Sequence, residues 1–146
     1  MASILSDYNA GSAKASNVAK SVPYSDFDLA FDIHPKTRDI IPLYDIDAVK
    51  NAVKNLVLTN FYERPFDPFK GSNLTALLFE PADVFTASQI KREVERVIEE
   101  YEPRVNSVLC EVIPKPEENY YSVSITFNVV NSANAVEVNF YLKRIR

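Results

Sequence analysis

The most regular pattern in the chain lies towards its end. Tyr121, Val123, Ile125, Phe127 and Val129 alternate with Ser122, Ser124, Thr126 and Asn128, which predicts a strand with one buried and one wet face. Val136, Val138, Phe140 and Leu142 alternate in the same way with Glu137, Asn139, Tyr141 and Lys143, and Val105 to Ile113 read as a preceding strand. The joins, Pro114–Asn119 and Asn131–Ala135, have hairpin length and turn chemistry. Together these predict a three-stranded antiparallel meander.

Upstream the period changes from two to 3.6. Ile90, Val94, Val97, Ile98 and Tyr101 form one apolar stripe, and Lys91–Glu95 and Arg96–Glu100 lie at i, i+4 on the opposite side. Thr86 with Gln89 three residues on reads as the capping box that starts this helix. An earlier helix is predicted from about Ile46 to Thr59, with Asp45 as N-cap and Val49, Val53, Leu56 and Val57 as its stripe. A short helix carrying Leu74, Leu77 and Leu78 follows, capped by Ser72 or Asn73 and limited by Pro81. Leu29, Phe31 and Ile33 suggest a short strand ending at His34-Pro35; Ile40, Ile41 and Leu43 suggest a second. The fold class is therefore α+β: amphipathic helices on one face of a small, mainly antiparallel C-terminal sheet. Residues 1–25 are small, polar and irregular and read as a flexible arm, leaving 26–146 as one domain.

Composition narrows the function. Sixteen basic against twenty acidic residues, a net charge of −4, argue against a nucleic-acid partner, which normally requires a basic face. No apolar run approaches the roughly 20 residues that span a bilayer, so no membrane partner is expected. One cysteine and one histidine, Cys110 and His34, leave a zinc site of the usual N/S type without ligands. Neither a GxGxxG nor a P-loop can be written with Gly11 and Gly71 as the only glycines. His34 beside its proline reads as a turn residue, and Cys110 in mid-strand as a buried, inert thiol.

Paired carboxylates are the remaining route to chemistry, because glycosidases work with two of them. Glu63, Glu80 and Glu102 each sit within two residues of a proline at an element boundary. Arg64 follows Glu63 and Arg104 follows Glu102 by two, however, and a guanidinium favours the ionised carboxylate, the wrong direction for a general acid. Salt-bridged interface carboxylates are the better reading. The stretch Phe61-Tyr62-Glu63-Arg64-Pro65-Phe66-Asp67-Pro68-Phe69 forbids regular helix, and its three phenylalanines must fold back over the core or meet another chain. Glu102-Pro103-Arg104 joins the clearest helix to the sheet in a rigid frame, and serves equally well as an internal strut or a docking point.

With that corner the chain resembles a known family. Glu102-Pro103-Arg104 after an amphipathic helix is similar to the "EPR" motif of the phage baseplate wedge family related to the sheath initiator, of which type VI secretion systems carry a similar protein. Asn55 to Phe66, Leu78-Phe79-Glu80-Pro81, and Ser25 to Leu29 leading into His34-Pro35 resemble it in the same order, over about residues 25 to 146. The family often has glycine where Tyr62 stands, and its aromatic before the loop glycine is displaced here to Phe69, with Lys70 next to Gly71. The resemblance implies a structural subunit of a contractile-tail virion, assembled in the host cytoplasm, with no cofactor. Its corner would dock on the core bundle of larger wedge proteins, and its sheet would give the tail sheath a template by strand addition; tube or hub proteins are further partners. Expected partner-binding residues are Glu102, Pro103 and Arg104 with Glu63, Arg64, Pro65 and Phe66 of the loop. The family has also carried a lysozyme label, which sets a peptidoglycan-degrading enzyme as the alternative.

Overall fold

The computed structural model describes residues 24–27, 31–130, 132 and 134–145. Along them run β1 (Ser25–Phe27), β2 (Pro42–Tyr44), α1 (Asp45–Leu58), α2 (Leu74–Leu77), α3 (Val84–Tyr101), β3 (Val105–Lys115), β4 (Tyr120–Val129) and β5 (Ala135–Lys143). The predicted meander is present, in the order β3-β4-β5 with both pairs antiparallel, and β1 and β2 form a separate antiparallel ribbon.

Alternation along β4 places the core. Tyr121, Val123, Ile125, Phe127 and Val129 are buried, and Ile90, Val94 and Ile98 of α3 with Val49, Val53 and Val57 of α1 close over them. The Tyr121 hydroxyl, sunk at one end of this layer, donates to the Pro81 carbonyl at 3.0 Å, so its polar tip is not orphaned. Cys110 is buried as expected, and burial pushes its thiol up to about 12.

Three local expectations need correction. First, α3 starts one turn before the predicted box: Asp83 is the N-cap, its carboxylate accepting from the Thr86 N–H at 2.7 Å. Asp is the stronger cap, and Thr86 is buried at the third helical position. Second, Asp45 is not an N-cap but the first residue of α1, with φ of +50°; Tyr44 precedes it in extended conformation without a side-chain cap. Third, the strand predicted around Leu29–Ile33 does not form as such. Leu29 lies outside the described residues, Phe31 has φ of +55°, and only Ile33 makes a bridge, to Ile40. Pairing occurs earlier, between Ser25–Phe27 and Pro42–Tyr44. The arm expected over 1–25 lies outside the described residues except for Tyr24 and Ser25. His34 is a turn residue: its Nδ1 accepts from the N–H groups of Lys36 and Thr37 at 3.3 and 3.2 Å.

The two edges of the meander differ. Cys110 is in register with Ile125, yet its N–H turns away from β4 and donates to the Glu95 carboxylate of α3 at 3.2 Å. In an antiparallel ladder this fixes the parity, so Cys110, Val112 and position 114 face the outer edge of β3. There α3 occupies one donor, Pro114 has none, and an irregularity between Asn106 and Leu109, with Ser107 at φ of +54°, bends the strand. On β5 the same parity turns the N–H groups of Glu137, Asn139, Tyr141 and Lys143 outward. The register runs unbroken from Tyr120↔Lys143 to Asn128↔Ala135. Among the described residues, no backbone group pairs with that outward row until Ile145, whose N–H donates to Leu78 at 2.9 Å.

Candidate functional site

The corner after α3 is held by its own side chains. Glu102 ends the helix with its N–H on the Ile98 carbonyl, and its carbonyl accepts from Val105 at 3.1 Å, so Pro103 sits at the tip of a closed turn. Arg104 then reaches back: Nε meets Oε1 of Glu102 at 2.6 Å and Nη2 meets Oε2 at 2.7 Å. Glu102 is buried, whereas about a third of the Arg104 side chain, 31%, stays exposed. The pairing with Glu102 raises the guanidinium pKa still further, and the Arg104 plane lies 5.4 Å from the Tyr24 ring centre. The Arg104 carbonyl also accepts from Val130 at 2.9 Å, fastening the corner to the end of β4.

The aromatic loop is folded just as tightly. Thr59 and Phe61 exchange backbone bonds with Ser72, and the Tyr62 N–H donates to Pro68 at 2.7 Å. Gly71 closes the neck with φ of +149°, where a Cβ would stand 2.6 Å from the Thr59 carbonyl oxygen. Tyr62 itself has φ of +67°, so the position where the resembled family often carries glycine keeps a left-handed backbone here with a side chain attached. Glu63 does not pair with Arg64. Its carboxylate accepts from the Asn60 side chain at 2.7 Å and the Asn60 N–H at 3.0 Å, and these bonds hold it below the usual carboxylate value. The direction agrees with the sequence reading; the cause does not.

Arg96 clamps loop to helix. It forks onto Glu93 at 2.8 and 3.1 Å, meets Glu100 at 2.6 Å, and lies 5.7 Å from the Phe61 ring centre. Glu93 in turn accepts from the Asn73 N–H at 2.8 Å. Phe66 is wholly exposed and Tyr62 and Phe69 largely so, Tyr62 and Phe69 packed edge to face at 6.0 Å; of the three loop phenylalanines only Phe61 is partly covered.

Corner and loop meet. The Tyr101 hydroxyl donates to the Phe69 carbonyl at 3.1 Å, and a cleft of about 230 Å³ opens between them, lined by Asp26, Arg64, Lys70, Tyr101, Glu102 and Arg104 among others. Of the residues expected from sequence, Glu102, Arg104 and Arg64 share this cleft, while Pro103, Glu63, Pro65 and Phe66 stand outside it. Lys70, Asp26 and Tyr101 were missed as site residues. Each left a signal short of a site: Lys70 as the unusual neighbour of the loop glycine, Asp26 within the Ser25–Leu29 stretch, and Tyr101 as the last residue of the α3 stripe.

The α+β arrangement recurs in other solved proteins. A Geobacter sulfurreducens protein described as a candidate tail lysozyme has it (TM-score 0.61, 18% identity, 67% of this chain and 89% of that one). So does a chain of the anti-feeding prophage baseplate (TM-score 0.60, 20% identity, 76% and 89%). The chain belongs to the family of baseplate wedge protein gp25, whose family model matches residues 45–134. Baseplate wedge protein gp25 of Enterobacteria phage T4 is 30% identical over 114 residues, covering 78% of this chain and 86% of its own.

Proposed function

We propose that the chain is a structural subunit of a contractile-tail baseplate wedge, which docks through its Glu102-Pro103-Arg104 corner and offers the first sheath ring a strand-addition edge. Family membership supports the baseplate role and baseplate proteins as partners. The observation that carries the mechanism is the contrast between the two sheet edges. β3 is blocked by a helix carboxylate, a proline and a bulge, whereas β5 presents an unbroken outward row. Proteins normally blunt such rows, because any extended chain can pair with them. A sheath segment is the occupant in this reading. The corner and the exposed loop aromatics face the core bundle of the larger wedge proteins in this reading, with tube or hub proteins as further neighbours in the virion.

Within the corner, Glu102 and Pro103 position the Arg104 guanidinium, whose exposed part meets the partner; Arg64, Pro65 and Phe66 add loop contacts, and Glu63 shapes the loop from within. The same geometry argues against the lysozyme alternative. A general acid needs a raised pKa, whereas Glu63 is held low by Asn60 and Glu102 is occupied by both arms of the Arg104 fork.

The test is Asn139→Pro, which removes an outward N–H and no ladder bond. The folded subunit should still enter baseplates but start no sheath. Normal sheath on such baseplates would refute strand addition at β5.

A further inference from the structure

The cleft between corner and loop holds more charge than it uses. Glu102 is closed by Arg104, and Asp26 turns its oxygens to the Phe27 N–H at 2.9 Å and the Asn51 amide at 3.4 Å. Glu102 is thus ion-paired within the chain, and Asp26 accepts from neutral donors only. Arg64 and Lys70, on the opposite wall, make no ion pair or side-chain hydrogen bond among the described residues, although Arg96 and Arg104 nearby are each paired with carboxylates. Arg64, Lys70 and Arg104 face Asp26 and Glu102 across the cleft, so on a chain of net charge −4 its lining is positive on balance, with the loop wall held in place by Gly71 and the Tyr101–Phe69 bond. At about 230 Å³ the space is smaller than the roughly 300–1,000 Å³ of small-molecule sites, and suits a single side chain.

Resting on the docking role proposed for the corner, we infer that this cleft is a carboxylate receptor: it takes one Asp or Glu side chain from a baseplate wedge partner, bound between Arg64 and Lys70. Arg104 is then the frame and not the reader. Its fork is already filled by Glu102, and it shapes the wall on which the incoming carboxylate rests. Arg64, free of Glu63, supplies the planar donor pair, and Lys70 the point charge. The exposed rings of Tyr62 and Phe69 flank the loop and exclude water around the pair on docking.

Carbodiimide cross-linking of isolated baseplates tests this, because it joins an amine to a carboxylate in contact without a spacer. An amide link from Lys70 to an Asp or Glu of another wedge protein is expected, with loss of that link in Lys70→Arg particles that keep the chain at its normal level. Arg64→Glu with Lys70→Glu should lower incorporation by roughly tenfold or more while the isolated subunit melts as before. If Lys70 in chain-containing particles is unlinked and freely acetylated, the receptor assignment is wrong although docking by the corner stands. If Arg104→Lys particles incorporate normally and the charge reversal has no effect, corner docking and receptor fall together.

Discussion

Glu102 and Arg104, separated only by Pro103, close a two-pronged ion pair of 2.6 and 2.7 Å across the exit from α3. Helix and sheet are thereby joined at one angle, since proline sets the turn and the fork sets the direction in which β3 departs. The carboxylate is the buried partner and the guanidinium the half-exposed one, so the corner is a strut from inside and a surface from outside.

That asymmetry orders the variants. Arg104→Ala leaves a buried carboxylate unpaired and should lower stability by about 2–4 kcal/mol in thermal or urea unfolding. Arg104→Lys keeps the charge but not the fork and should cost about 1–2 kcal/mol. Assembly by Arg104→Lys therefore tests docking more cleanly than assembly by Arg104→Ala.

Gly71→Ala drives a Cβ to 2.6 Å from the Thr59 carbonyl at a φ that side chains avoid. A loss of about 1–3 kcal/mol is expected, together with altered protease sensitivity across residues 61–71. Near-native melting would mean that the neck relaxes.

Glu93 gives the loop clamp a pH limit. Its pairing with Arg96 holds it below the ordinary value of 4.5, so the folded state binds its proton less readily than the unfolded chain. The resulting stability is complete above about that value and is lost as pH falls through the lower folded value. Acid titration followed by tyrosine fluorescence should show the loop loosening below pH 4.5, with the step absent in Glu93→Gln.

Cys110 should be silent to alkylating reagents. With its thiol pushed up to about 12 by burial first and the nearby Glu95 second, its reactive thiolate is negligible at pH 8 in the folded chain. Iodoacetamide labelling should appear only on unfolding, and rapid labelling of native protein would contradict the described core.

How legible each element is in the sequence depends on the range of the interactions that make it. The meander and the α3 stripe are legible because alternation and the 3.6 period are written along a single segment, and β4 buries every residue that its pattern marks. The start of α3 is not, because Thr86-Ala-Ser-Gln89 has capping-box spacing, and the burial of Thr86 with Asp83 capping ahead of it is set only by packing. The first strand fails at Phe31, whose left-handed backbone breaks an alternation that looks intact in one dimension. Glu102 and Arg104 are legible as a pair two residues apart. The cleft is not, because Asp26, Arg64, Lys70 and Arg104 become neighbours only after α1 and α3 pack.

In the proposed function the molecule acts by presenting a backbone row and a braced surface to neighbouring chains. Hydrogen exchange at the amides of Glu137, Asn139, Tyr141 and Lys143 measures this directly, in the isolated subunit and in sheathed particles. Fast exchange in the first and strong protection in the second is the predicted result. Equal rates in both states, or protection already present in the isolated subunit, would contradict it.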